Sequence, residues 1–330
     1  MRIYNDADAD LGLLKGKKIA VLGYGSQGRA QALCFRDSGL DLTIGVREGK
    51  SFDKAKEDGF SPVSISEATD GADIVMMLIP DEAQADIYEK EIKDHLKPGC
   101  ALEFAHGFAI TYGLIHPPKD VDVIMMAPKG PGPMIRRVFE NGYGVPALIC
   151  VHHDHTGNAK ALALALAKAM NCTKPGVFEA RFEQETMTDL FGEQAVLCGG
   201  YTAMIKMAYD TLVSRGFPPE MAYFEVLHET KLVTDLVVER GINGMWNSVS
   251  NTAEFGGLTR RNRVITEKTR DGMESILDDI QSGKFAEEWV EDYRNGLKRM
   301  RGLQQKDADE DIEKVGRWVR QTFFGGKELG

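Results

Sequence analysis

Cysteine is scarce in this chain: five residues in 330, at positions 34, 100, 150, 172 and 198, with no CxxC spacing. That scatter supports neither a disulfide framework nor a thiolate metal cluster, and the thiols read as reduced and mostly buried, as in a cytoplasmic protein. Long hydrophobic runs are also missing. The longest, such as Ile74–Ile79, fall far short of the ~18 residues a membrane helix needs, so no membrane association is expected. Positive charge is in deficit, with 40 Lys and Arg against 50 Asp and Glu and a formal net charge of -10. Nucleic acid and acidic membranes are therefore poor partners. The opening MRIYNDADAD is acidic and polar, unlike a secretory leader or a transit peptide, which agrees with a cytoplasmic location. Histidines number seven. His152, His153 and His155 lack zinc spacing and read as surface residues.

What the chain does contain is alternation. Its length corresponds to about two domains. Ile19–Leu22, Leu42–Val46, Ile74–Ile79, Ala101–Phe104, Val123–Ala127 and Leu148–Val151 are apolar on both faces, the mark of buried parallel strands. Helical segments lie between them, with stop glycines at Gly39 and Gly59. This order predicts an α/β fold with a Rossmann-like, doubly wound sheet over residues 1–182. Beyond that point strand-like runs vanish. Met187–Val213, Pro219–Glu239 and Lys268–Ile280 carry apolar residues at helical spacing, so residues 183–330 form an all-helical domain. After Lys306 the chain is charged and closes with Gly325, Gly326 and Gly330, which predicts a frayed end.

The first strand runs into Gly23-Tyr24-Gly25-Ser26-Gln27-Gly28, and a helix opens behind it. In a βαβ unit this is a dinucleotide site: Gly23 for the tight turn, Gly25 for close approach of the pyrophosphate, Gly28 for helix–strand packing. The second strand ends at Arg47, where an NAD site would have an acid; Arg47 suits a 2′-phosphate, with Lys50 and Ser51 as further ligands. NADP(H) is the expected cofactor, with NAD(H) use open because Glu48 opposes a phosphate there. Asp81, Glu82 and Gln84 follow a buried strand at the sheet edge that touches the cofactor, though acidic residues also favour a helix's first turn for dipole reasons.

In the helical half, Asp189 and Glu193 stand at i and i+4, as do Glu225 and Glu229. Like charges at that spacing destabilise an isolated helix, so each pair asks for a reason. One or two Mg²⁺ ions would supply it; spacing alone leaves two acidic solvent faces equally open. His106 lies just past a strand's C-terminal end, where α/β sheets carry ligand-binding loops. Lys129, in Pro128-Lys129-Gly130-Pro131-Gly132-Pro133, can hold an anion or tune a carboxylate.

Gly23-Tyr-Gly-Ser-Gln-Gly28, Phe104-Ala-His-Gly-Phe108, Ala127-Pro-Lys-Gly-Pro-Gly132, Asp189-Leu-Phe-Gly-Glu-Gln-Ala-Val-Leu-Cys-Gly-Gly200, Ala222-Tyr-Phe-Glu-Val-Leu-His-Glu229 and Ser250-Asn-Thr-Ala-Glu254 occur in this order. In them the chain resembles the ketol-acid reductoisomerases of the short, class I type, over nearly its whole length. The resemblance implies conversion of 2-acetolactate or 2-aceto-2-hydroxybutyrate to a 2,3-dihydroxy acid in valine, leucine and isoleucine synthesis. An Mg²⁺-dependent alkyl shift precedes reduction by NADPH. It further implies two Mg²⁺ ions, with Asp189 bridging, Glu193 completing the first site, and Glu225 and Glu229 arriving from a partner subunit. Ser250 would meet the substrate carboxylate, and Gly132 would lie against the cofactor. His106 and Lys129 take proton relay and electrostatic support, and either Glu193 or Glu229 relays a proton. The implied assembly is a homodimer or a higher homo-oligomer. Three departures stand out: Arg29-Ala-Gln31 replaces the usual His-Ala-His or His-Ala-Gln, the segment between Arg47 and Lys54-Ala55 is of the family's shorter kind, and Thr259–Arg263 is unusually basic.

Two other readings compete. A metal-free NADP-dependent 3-hydroxyacid dehydrogenase would use a helix-borne lysine, for which Lys206 is the candidate, and would leave the four carboxylates unexplained. A dinucleotide sensor with a dimerising helical half would need none of the acid, base and metal groups.

Overall fold

Strand β2 (Ile19–Leu22) is buried at all four positions, as are β4 (Ile74–Met77), β5 (Ala101–Phe104) and β6 (Asp122–Pro128). Only a sheet covered on both faces hides successive residues, whose side chains point to opposite sides. The structure is a computed structural model and describes residues 2–325; Gly326 and Gly330, expected to fray, lie outside the described residues.

Two compact units divide between Thr188 and Asp189. The first holds an eight-stranded sheet, completed by β1 (Ile3–Tyr4), β3 (Leu42–Gly45), β7 (Ala147–His153) and β8 (Val177–Glu179), in the order β1-β8-β7-β6-β5-β4-β2-β3. Its helices are α1 (Ser26–Asp37), α2 (Lys50–Glu57), α3 (Ile65–Thr69), α4 (Asp81–Ile87), α5 (Phe108–Thr111), α6 (Gly132–Glu140), α7 (Ala159–Ala169) and α8 (Phe182–Gly192), which runs on past Thr188. The expected doubly wound arrangement is present, with one correction. β7 is antiparallel to β6, and β1 to β8, so the sheet is mixed. After α6 the chain returns to the same end of the sheet it left, where the Lys129 N–H donates to the Pro146 carbonyl at 2.8 Å. Burial on both faces reports the covering helices and carries no information about strand direction.

In the second unit the described residues are helical: α9 (Gly199–Ser214), α10 (Pro219–Tyr223), α11 (Glu229–Trp246), α12 (Asn251–Val264), α13 (Glu267–Gln281), α14 (Lys284–Arg294), α15 (Lys298–Ala308) and α16 (Asp311–Phe324). Ile205, Tyr209, Ala222, Tyr223, Ile312 and Val319 form a core between α9, α10 and α16. Met187–Val213 and Pro219–Glu239, read as helical from their spacing, each contain a π-helical turn. These turns occupy Glu193–Leu197 and Phe224–His228, and α11 breaks at Gly241 (φ 72°, ψ 170°).

Candidate active site

The turn from β2 into α1 is built by glycine. Gly23 has φ +99°, and a Cβ there would sit 2.3 Å from the Leu78 carbonyl oxygen, so no other residue fits. The N-cap of α1 is Gly25, which offers no side-chain acceptor. The N–H groups of the first turn are thereby kept for an external anion. Gly23, Tyr24, Gly25, Arg47, Lys50 and Ser51 line one cavity of about 490 Å³, together with Glu48 and the Ile79–Pro80 turn. Among the described residues neither Arg47 nor Lys50 enters an ion pair, so both cations face the cavity with their charge unspent. This is a cradle into which a dinucleotide with a 2′-phosphate fits.

Ser26, Gln27, Gly28, Asp81, Glu82, Gln84 and Gly132 lie outside that cavity's wall, and several have other work. Gln27 Nε2 donates to the Gly130 carbonyl at 2.9 Å. A Cβ on Gly132 would lie 2.1 Å from the Ser26 carbonyl oxygen, so glycine lets α6 start against α1. Gln84 is buried and donates to the Ile79 carbonyl and to Asp81, bracing the turn after β4. The Tyr24 hydroxyl turns into the protein and donates to Asp58 at 2.9 Å. Arg29, one of the departures from the family pattern, grips the same Asp58 with Nε at 2.6 Å and Nη2 at 3.0 Å. Hydrogen bonds from Arg29 and then Tyr24 outweigh burial and hold the Asp58 carboxyl below the usual range. The unusual arginine thus ties the dinucleotide turn to the end of α2.

At the C-terminal ends of β5 and β6, His106 and Lys129 converge on a residue the sequence reading did not single out. Glu185, in the first half of α8, is 1% exposed. Its Oε2 meets His106 Nδ1 at 3.0 Å and its Oε1 meets Lys129 Nζ at 2.6 Å. The Gly107 N–H adds a third donor at 3.2 Å. Burial alone would raise this carboxyl, but His106 and Lys129 outweigh it and hold it below the ordinary value. The contact holds the imidazole edge beside the carboxylate. The signal was present: Glu185, Asp189 and Glu193 stand at successive i+4 steps along one helix face.

The carboxylate pairs of the second unit share a local feature. Glu193 opens the first π-helical turn; Glu225 lies within the second and Glu229 directly follows it. Such turns are rare, re-aim the side chains they carry, and cluster at functional sites. The first is locked by Gly199 and Gly200, where a Cβ would lie 2.1 Å from the Gln194 and Ala195 carbonyl oxygens respectively. Asp189 is half-buried; Glu193, Glu225 and Glu229 are exposed. This all-oxygen donor set suits Mg²⁺. Among the described residues, no three of the four bring carboxylate oxygens within 4.8 Å of one another. Ser250 caps α12, its hydroxyl accepting from the Ala253 N–H at 3.2 Å. Lys206, the lysine a metal-free dehydrogenase would use, is held by Asp210 and Glu310, each at 3.2 Å.

Both halves of the chain match domains of known proteins. The NADPH-binding domain of acetohydroxy acid isomeroreductases matches residues 13–176, and the ketol-acid reductoisomerase C-terminal domain matches residues 182–324. The ketol-acid reductoisomerase (NADP(+)) of Methanocaldococcus jannaschii is 50% identical over 329 residues, covering 99% of this chain and all of the relative. That of Methanococcus maripaludis strain C5 is 50% identical with the same coverage. Among solved structures, an NADH-preferring ketol-acid reductoisomerase from an uncultured archean superposes with a TM-score of 0.95 at 46% identity, over 98% of this chain and 99% of that one. With both halves matched in order, and with relatives this close along their full length, the chain belongs to the ketol-acid reductoisomerase family.

Proposed function

We propose the following division of labour for the NADP-dependent ketol-acid reductoisomerase reaction of this chain, in which 2-acetolactate or 2-aceto-2-hydroxybutyrate is rearranged by an alkyl shift and then reduced. The observation that carries it is a π-helical turn at each carboxylate pair, holding Glu193 of the first and Glu225 of the second, which a metal-free dehydrogenase would not need. Asp189 and Glu193 would hold Mg²⁺, with Glu225 and Glu229 of a second copy completing a two-ion site. Bound there, the ions supply Lewis acidity toward the substrate's hydroxyl and ketone oxygens.

The chain's own groups handle protons and orientation. Glu185 remains ionised and fixes both the His106 ring and the Lys129 ammonium. His106 Nε2 then exchanges the proton of the substrate hydroxyl, while Lys129 keeps a positive charge beside the oxygen that gains negative charge. Glu193 or Glu229 passes that proton onward. The Ser250 hydroxyl, at a helix N-terminus, orients the substrate carboxylate. Gly23, Tyr24 and Gly25, with the first turn of α1 (Ser26, Gln27, Gly28), seat the dinucleotide, and Arg47, Lys50 and Ser51 receive its 2′-phosphate. Asp81, Glu82, Gln84 and Gly132 frame the cofactor at the sheet edge. On this reading residues 1–182 bind the cofactor and residues 183–330 bind metal and substrate.

We place the enzyme in the cytoplasm as a homodimer or higher homo-oligomer. No helix among the described residues is long and apolar enough to cross a membrane. The test is NADPH oxidation with 2-acetolactate, with Mg²⁺ and with excess chelator. Chelation is expected to abolish turnover, and Asp189→Asn to lower kcat at least ~100-fold. Oxidation that survives chelation would return the reading to a metal-free dehydrogenase.

A further inference from the structure

Glu103 is a buried acid to which the reaction scheme gives no task. It sits on β5 with no exposed surface, flanked in register by Met76 of β4 and Ile124 of β6, both apolar and buried. Its Oε1 accepts a hydrogen bond from the Met126 N–H at 3.1 Å. Its Oε2 is buried with no hydrogen-bond partner among the described residues. Burial pushes the carboxyl up to about 8, against the lowering effect of the Met126 bond, so at neutral pH the group is a neutral acid. Burying such a group among apolar side chains costs stability, and a purely structural position would be filled more cheaply by leucine or methionine.

Its place in the sheet supplies the reason. The β5–β6 ladder ends at the Phe104–Met125 pair, whereas β6 continues to Pro128. In that last pair the parallel register sets the Phe104 carbonyl opposite the Met126 N–H. Glu103 reaches along its own strand to add a second acceptor to the same N–H where β5 ends. Glu103 stands three residues before His106, and Met126 three residues before Lys129. The bond therefore joins the roots of the two arms that close on Glu185.

We infer that Glu103 is a positioning residue, whose hydrogen bond to the Met126 N–H sets the separation of His106 and Lys129 around Glu185. The inference rests on the reading of His106, Lys129 and Glu185 as the proton-handling group. A carboxylate in contact with both arms at 2.6–3.0 Å tolerates little drift, and sub-ångström displacement of proton-transfer groups is costly in rate. Gln at position 103 retains an acceptor of the same reach; Met retains the volume and removes the acceptor.

Four variants test this, each measured for kcat, KM for NADPH and melting temperature. Glu103→Met is expected to lower kcat at least tenfold with KM for NADPH within twofold, while Glu103→Gln stays within threefold of the parent in both. Glu103→Ala carries the same expectation as Glu103→Met and replaces it if the methionine overpacks the site. Glu185→Gln is the control and is expected to lower kcat at least ~100-fold. A kcat for Glu103→Met or Glu103→Ala within twofold of the parent overturns the inference, as does a Glu103→Gln variant as slow as Glu103→Met. Full activity in Glu185→Gln would overturn the proton-handling reading itself, and the positioning role with it.

Discussion

Arg47 shows how much one side chain decides. It stands two residues past β3, the second strand of the dinucleotide unit, lines the cavity, and spends its charge on no carboxylate among the described residues. A charge-assisted bond to a 2′-phosphate contributes about 1.5–3 kcal/mol, or ~10–100-fold in affinity. Arg47→Ala should therefore raise KM for NADPH by at least ~10-fold and leave KM for NADH nearly unchanged. An equal rise for both cofactors would move the 2′-phosphate contact to Lys50 or Ser51. At this scale the sequence was legible wherever a residue's role followed from its neighbours along the chain. Gly23 and Arg47 needed only the strand before them. Glu185 escaped because its partners, His106 and Lys129, are 79 and 56 residues away. Glu103 escaped for the same reason: an acid inside an apolar strand has no local signature of the N–H it serves.

At the scale of elements, strands were legible through burial. Ile19–Leu22 and Ala101–Phe104 were read with the bounds the structure gives them, and the others shifted at their ends. β1 and β8, with two and three residues, are too short for a periodic signal. The antiparallel course of β7 was illegible because its residues report what covers them and not which way they run. The π-helical turns were hidden too, since i and i+4 residues share a face in either kind of helix. The residues that enforce one of them can be named. Gly199→Ala would drive a methyl group into the Gln194 carbonyl, straighten the turn and re-aim Glu193. We expect the Mg²⁺ concentration for half-maximal activity to rise about tenfold. Gly302→Ala is the control: Gly302 lies within α15 with nothing within 4 Å of the added carbon. It should stabilise the helix by about 0.5–1 kcal/mol and leave the Mg²⁺ requirement alone. If both variants respond to Mg²⁺ like the parent, the π-helical turn has no part in holding metal.

For the whole molecule, the proposed assembly follows from two observations on one chain. The second unit leaves large apolar side chains in solvent, among them Met207 at 70%, Val238 at 80% and Phe255 at 67% exposure, which is costly unless something covers them. Its four carboxylates, meanwhile, do not close into one cluster of three or more. A second copy answers both. Sedimentation at assay concentration should find no active monomer, and Met207→Glu, if it dissociates the assembly, should abolish Mg²⁺-dependent turnover while NADPH still binds. A catalytically competent monomer would refute the shared site. The first unit carries a different kind of constraint, written in time. Ile3 and Tyr4 pair with Phe178 and Val177, the Tyr4 hydroxyl bonds Glu179, and Lys168 holds the Asp6 and Ala9 carbonyls. The chain's first residues are thus fastened to partners synthesised last in that unit. At ~5–20 residues per second, the amino-terminal strand waits on the order of ten to forty seconds for its neighbour to be made. Until then it is an unpaired edge on a nascent chain, and its brevity keeps that exposure from becoming a hazard.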